Sequence, residues 1–533
     1  MQCVPSNLLV KQTLILSKIC AVGMILGLVA CQRAEPQVSR LKPLPQDPNV
    51  QVYMNQDQAE QYSEPYRSVT RSGSNLEQVL INAIASAKTS IDVAVQEFRL
   101  PGVAKALRDR AATGVKVRVI LENTYARPYS RYSSADVAKL SDREKDRYEE
   151  ARKLIDQNGD NQLSETEIAE RDALVILDNA RIPRIDDTAD GSRGSGLMHH
   201  KFVVVDQSTV IVTSANFTLS DVHGDLRNPG SRGNANNLVR IQSSEVAKLF
   251  TEEFNLLWSG KFGVKKPQRS LQEIRVGDST IAVQFSPSSA KVPWEETTNG
   301  LIASILGQAT QSIDLALFVF SEQELADEIA AKNQPGIAIR ALIEPSFAYR
   351  SYSELLDMLG VAFGDNCKLE RNNRPWLSPL KTAGVPQLPP GDMLHHKFGV
   401  VDRHTIVAGS HNWTPAANRN NDETLIVIRN PIVAAHYDRE FERLFSSAIL
   451  GIPAKVQQKI DQHRQKCPQV ESTDAIINLN TATLEQLEAL PGVGKGLAKR
   501  IIAARPIRSL EDLDRIPGVG AKVLDQVRDR VTW

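Results

Sequence analysis

The sequence predicts an α/β protein of two pseudo-symmetric α/β/α halves followed by a small all-α domain. Three observations carry that expectation. The stretch LMHHKFVVVD, ending at Asp206, returns as MLHHKFGVVD, ending at Asp402. An amphipathic helix leading into a β-branched strand occurs as LINAIASAKTSIDVAVQEF and again as LIASILGQATQSIDLALFVF. The chain then closes with two Pro-Gly-Val-Gly turns, each set between helical patterns.

The registers of the repeat agree. Asp92 precedes Gly114 by the same interval as Asp314 precedes Gly336, and His199 precedes Asn216 as His395 precedes Asn412. This is an internal duplication. The chain has 533 residues, 41% hydrophobic and 24% charged, which is room for two or three cores. Its formal net charge is zero, so no global basic field attracts nucleic acid, and any such binding is local.

Taken in order, Lys11 and Lys18 precede an apolar run from Ile19 to Ala30, well short of the ~20 residues that span a bilayer. Residues 1–30 therefore read as a signal peptide. Its end, Leu28-Val29-Ala30-Cys31, resembles a bacterial lipobox, which implies a lipid on Cys31, membrane attachment and an extracytoplasmic body. Residues 31–70 are rich in Pro and polar residues, as a linker is. The first half is expected over 71–265 and the second over 266–452, with a linker over 453–473 and the helical domain over 474–533. Of the cysteines, Cys367 and Cys467 remain in the mature body, as a disulfide or as two buried thiols.

In a strand, alternate side chains share a face. His199 and Lys201 therefore point together while His200 points away, and the same holds for His395, Lys397 and His396. Ser214 with Asn216, and Ser410 with Asn412, add a hydroxyl and an amide from each half. Cations and neutral donors suit the non-bridging oxygens of a phosphate, and an imidazole suits its phosphorus or leaving oxygen.

These residues, His199-x-Lys201-x4-Asp206 and His395-x-Lys397-x4-Asp402 with Ser214-x-Asn216 and Ser410-x-Asn412, resemble the paired HKD motifs of the phospholipase D superfamily over about residues 71–450. The resemblance implies one shared active site, a phosphohistidine intermediate and no cofactor for catalysis. It also implies a residue behind each histidine: Glu423, in NNDETLIVI, and Asn236 at the matching place in the first half. A carboxylate favours imidazolium, so with Glu423 behind His395 the expectation is that His395 is the general acid and His199 the nucleophile.

The first half is longer between its Asp and its motif, and the insertion, about 140–172, contains DQNGDNQLSETE. Asp156, Asn158, Asp160, Ser164 and Glu167, with the carbonyl of Gln162, occupy the ligand positions of an EF-hand-like loop. A structural Ca2+ is expected there, an acidic solvated turn being the other reading. Ser141-x-x-Glu144 and Ser164-x-x-Glu167 are capping boxes.

The terminal turns resemble tandem helix-hairpin-helix motifs, of the kind in bacterial competence DNA receptors. The candidate DNA contacts are Gly492, Gly494, Lys495, Lys499, Arg500, Gly518, Gly520 and Lys522, whose backbone amides and cations meet phosphates without reading bases. The expected function is thus a phosphodiesterase, foremost a DNA nuclease. The alternatives are a phospholipase or phosphatidyltransferase acting on phospholipid, and a non-enzymatic DNA-binding receptor.

Overall fold

The computed structural model describes residues 41–532 except 195, 227, 365–366, 368–372, 468–476 and 528–529. The expected signal peptide and Cys31 lie outside the described residues. The β-branched runs of each half form one sheet. In the first, the order from edge to edge is Val50–Met54, Asn237–Gln242, Thr209–Thr213, Lys201–Val205, Ser90–Val95, Lys116–Leu121 and Arg184–Asp186. In the second, Ser279–Ser286, Asn421–Arg429, Thr405–Gly409, Lys397–Val401, Ser312–Leu317, Ala338–Ile343 and Ala383–Val385 follow the same order. Short strands Gln272–Val276 and Ile449–Leu450 extend its two edges.

The aspartates that mark the repeat sit at equivalent registers. Asp92 lies opposite Arg118 and Asp314 opposite Arg340 on paired parallel strands, and each Arg grips its Asp with two hydrogen bonds of 2.6–2.8 Å. Gly409 has φ +132°, and a Cβ there would stand 2.2 Å from the Thr424 carbonyl oxygen. The first half carries Thr213 at this place, its hydroxyl donating to the Asn237 carbonyl oxygen instead.

One core is common to both halves. Phe250 and Phe254 of helix Ser244–Trp258, with Tyr437 and Phe441 of helix Pro431–Phe445, pack together with strand residues of both sheets, Phe202 and Phe398 among them. Each sheet also buries a second, separate core under its own helices: Leu80 and Leu107 in the first half, Ile302 and Ile329 in the second. The halves thus close on one another, which is what brings their motif strands together.

Two expected linkers are shorter than the composition suggested. Val50–Met54 pairs antiparallel with Asn237–Gln242, so the first half begins within residues 31–70. Residues 454–466 form a helix whose Ile460 is 1% exposed in the second half's core, so 453–473 is not linker throughout. That helix ends at Cys467, which is bonded to Cys367.

The insertion folds as a helix-loop-helix, Asp142–Ile155 and Glu165–Arg171, and both expected capping boxes form. Residues 477–532 form a separate small core, with Leu487, Leu497, Ile501 and Leu513 in it. Helices Leu484–Glu488 and Lys495–Ala503 flank the first glycine turn, and Leu510–Asp514 and Ala521–Val527 the second.

Candidate active site

Just before each motif strand the chain leaves its own sheet. Leu197 and Met198 pair with Asn421 and Asp422 at the start of the other half's last long strand, and the His199 amide donates to the Asp422 carbonyl at 2.9 Å. The mate is equivalent: Leu394 bridges Ala235, and the His395 amide donates to the Ala235 carbonyl at 3.1 Å. Each histidine is therefore seated on the opposite half.

The side chains follow. Nδ1 of His199 lies 2.8 Å from Glu423 Oε2, and Nδ1 of His395 lies 3.0 Å from Asn236 Oδ1. This corrects the expected pairing, which kept each partner within its own half. The cause is the crossover, which carries each histidine to the far half's strand end. Asn236 donates both Nδ2 bonds, to the carbonyls of Asp221 and Asn234, so its Oδ1 must accept. His395 consequently carries its proton on Nδ1. Both rings are thus fixed with Nε2 as the reacting nitrogen.

Ser214 and Ser410 do a different job from the one expected. Ser410 donates to Glu423 at 2.6 Å and Ser214 to Asn236 at 2.7 Å, so each steadies the group that holds a histidine. Asn216 and Asn412 each have a buried Oδ1 with no hydrogen-bond partner among the described residues.

Lys201 and Lys397 are buried and fold back on their own motifs, donating to the His199 carbonyl at 2.9 Å and the His395 carbonyl at 2.6 Å. Burial lowers Lys201 to about 8, and it pushes Lys397 well below the ordinary lysine value, with Lys201 adding to the effect. Both histidines are held well below their ordinary value, first by burial and then by the two ammoniums. That each imidazole feels both lysines is the electrostatic sign of one site. Burial also pushes Glu423 upward. Its three hydrogen-bond donors, His199, Ser410 and Asn421, nevertheless favour the carboxylate.

Asp206 and Asp402, counted with the catalytic set from the motif, stand elsewhere. Seven positions of chain carry each to the far end of its strand, ~20 Å from the histidine at the usual rise. There Asp206 accepts from the amides of Lys88, Thr89 and Ser90, and Asp402 from those of Thr310, Gln311 and Ser312. They are turn residues that join two strands of one sheet.

The outward histidines are anchors. His200 bonds Glu253 and Thr424, and His396 bonds Glu440 and Asn237, so each ties its own half's terminal helix to the other half's strand. The glutamates occupy matching positions of the two halves' terminal helices, and their unequal separations from the histidines, 53 residues in one half and 44 in the other, reflect the longer loop of the first half. His200, Glu253 and Asp422 are also the one set of three metal-type donors within 4.8 Å among the described residues. Lys266 lies 2.5 Å from Glu253 and 2.7 Å from Asp422, filling that role with an ammonium. A further residue missed from sequence is Asp221, whose Oδ1 is 3.7 Å from His395 Nδ1.

In the EF-hand-like loop, the expected ligands are occupied with the backbone. Asp156 accepts from the Gly159 and Asn161 amides, Asp160 from Gln162, and Glu167 from Gln157, Asn158 and Ser164. Asn161 adopts φ +62°, as position 6 of such a loop requires. The Asn158 side chain donates to Asp160.

In the C-terminal domain, Gly492, Gly494, Gly518, Gly520, Lys495, Lys499, Arg500 and Lys522 are all exposed. Gly492 and Gly518 take φ of +77° and +98°, and Gly494 caps helix Lys495–Ala503. The Arg500 guanidinium lies against Gly518, so this arginine bridges the two hairpins.

Residues 80–258 and 302–445 match the family model described as cardiolipin synthase, PLD-like domain, and residues 472–532 match the helix-hairpin-helix motif. A mitochondrial cardiolipin hydrolase of Xenopus tropicalis is 26% identical over 159 residues, 30% of this chain and 65% of that relative's length. ComE operon protein 1 of Bacillus subtilis (strain 168) is 37% identical over 62 residues, 11% of this chain and 30% of that protein. The crystal structure of phosphatidylserine synthase from Haemophilus influenzae Rd KW20 aligns over 80% of this chain and 95% of that one, with 13% identity and a TM-score of 0.46.

Proposed function

The chain belongs to the family of PLD-like domains, and we propose that it is a phosphodiesterase that cleaves DNA, held on its substrate by the C-terminal hairpins. The observation that carries this reading is the joining of a complete two-histidine site to a helix-hairpin-helix unit whose glycines and cations are exposed. Catalysis in this family needs no metal cofactor.

The geometry supports a division of labour. Glu423 withdraws the Nδ1 proton of His199 toward itself, which makes Nε2 the stronger nucleophile and stabilises the positive ring once phosphorus is attached. His199 thus remains the nucleophile, for a reason opposite to the one expected from sequence. His395, oriented by a neutral amide, protonates the leaving oxygen and then takes a proton from water. Lys201, Lys397, Asn216 and Asn412 hold the non-bridging oxygens. An incoming phosphodiester anion offsets the two ammoniums, which add to burial in lowering His395, and so favours the proton that ring must deliver.

The Cys367–Cys467 bond supports an extracytoplasmic site of action, with Cys31 as the lipid anchor. A phospholipid substrate is the second reading, favoured by the likeness to a cardiolipin hydrolase. Purified protein offered plasmid DNA and cardiolipin vesicles in parallel separates the two. Cleavage of DNA is expected, and cleavage of lipid alone overturns the nuclease reading.

A further inference from the structure

The insertion breaks the twofold symmetry of the site at one particular place. Its helix Asp142–Ile155 contributes Arg143, Asp146, Arg147 and Glu150 to a cleft that also contains His395 and Asn216. These four positions follow the i, i+3, i+4, i+7 pattern, so a whole polar face of one helix lies along the cleft. The helix is held there: Arg147 is 3.3 Å from Glu97, bonds the Tyr125 hydroxyl, and is flanked by Tyr148, which packs with Tyr129 and Ala151.

Five acids line the cleft, Glu97, Asp146, Glu150, Asp221 and Asp225, of which Asp225 accepts from the Asn228 side chain and Asp146 is also partnered. Glu97 pairs with Arg99 and Arg147, and Asp221 accepts from the Asn216 amide and the Asn234 side chain. Burial pushes Glu150 up to about 8, leaving it uncharged at neutral pH. Arg143, by contrast, is exposed at the rim and has no ion pair among the described residues. Arg147 reaches far enough inward that it adds to the lowering of Lys201.

An in-line displacement places nucleophile and leaving oxygen on opposite sides of phosphorus. With His199 attacking, the leaving group departs on the His395 side, where this cleft opens. We propose that the polar face of the insertion helix is the leaving-group subsite, and that Arg147, with Arg143 at its rim, holds the phosphate next to the scissile one on the departing strand. This rests on the nuclease reading. Guanidinium is suited to the task because it presents a planar pair of donors to phosphate oxygens.

The test compares two substrates on the purified full chain: a single-stranded oligonucleotide, and a thymidine nitrophenyl phosphodiester whose leaving group bears no phosphate. Arg147→Ala should lower kcat/KM on the oligonucleotide about 10–100-fold more than on the nitrophenyl ester, the range of one charge-assisted contact. Arg147→Lys should recover part of that difference. Arg143→Ala, at an exposed position without an ion pair, serves if Arg147→Ala does not fold, and should show a smaller difference in the same direction. Equal losses on both substrates overturn the subsite alone. A wild-type protein that cleaves the ester and leaves both the oligonucleotide and plasmid DNA intact overturns the nuclease reading and the subsite with it.

Discussion

Glu423 Oε2 lies 2.8 Å from Nδ1 of His199, a residue 224 positions earlier and in the other half of the molecule. The equivalent position behind His395 holds Asn236, a neutral acceptor of nearly the same reach. The two histidines therefore share a fold and differ in charge environment.

That difference should appear in the rates. Glu423→Gln keeps an acceptor but removes the charge, and kcat is expected to fall about 10²–10⁴-fold, the range of acid–base and nucleophile activation. Asn236→Ala should cost less, about 10-fold, since it removes orientation only. Single-turnover kinetics on the nitrophenyl ester measures both, and equal effects would argue against the asymmetry.

The covalent step can be trapped. In His395→Ala the nitrophenolate leaves without an acid, while the intermediate lacks the base that activates water. The thymidylyl group, phosphorus still esterified to thymidine, should then accumulate on His199, detectable by mass spectrometry of the quenched protein. Its appearance on His395 in His199→Ala would reverse the roles.

Lys201 sets a pH limit. Its folded value of about 8 lies below the ordinary 10.5, so the ammonium that grips phosphate is lost as pH rises through 8, and kcat/KM should decline there. Lys201→Arg should move that decline upward, because guanidinium stays charged. Stability moves the other way: the unfolded chain binds more protons between about 8 and 10.5, so resistance to denaturant from this group rises across that window. A kcat/KM profile flat to pH 10 would exclude a charged Lys201 in phosphate binding.

The disulfide closes a loop of 100 residues and pins the helix that precedes the C-terminal domain. Cys367→Ser, or mild reductant, is expected to lower stability by about 2–4 kcal/mol and to expose Ala454–Lys466 to protease first. Unchanged denaturant midpoints with and without reductant would refute this.

Much of this architecture could be read from the chain. The duplicated registers located the paired strands, the Asp92 and Asp314 positions, and the face shared by His199 and Lys201. The capping boxes at Ser141 and Ser164 were legible because capping is local. What failed was non-local. Spacing identifies the strand on which Glu423 stands and not whose histidine its end will meet, because the crossover at Leu197 and Leu394 is a tertiary event. Asp206 misled for a related reason: membership of a motif does not bring a side chain to the active face. Glu253 and Glu440 lie at equal distances after the aligned pair Asn236 and Glu423, so alignment of the halves matches them, and only their contacts with His200 and His396 were non-local.

The exchange of partners also bears on ancestry. Suppose two identical copies of one half assembled about a true twofold axis. Symmetry would place the same side chain behind both histidines, since each partner comes from the opposite copy. Such an assembly could carry two carboxylates or two amides, never one of each. Joining the copies in a single chain lifts that restriction, because positions 236 and 423 become separate heritable sites. On this view the fused chain can specialise its two histidines, whereas a pair of identical subunits must leave substrate binding to choose between them.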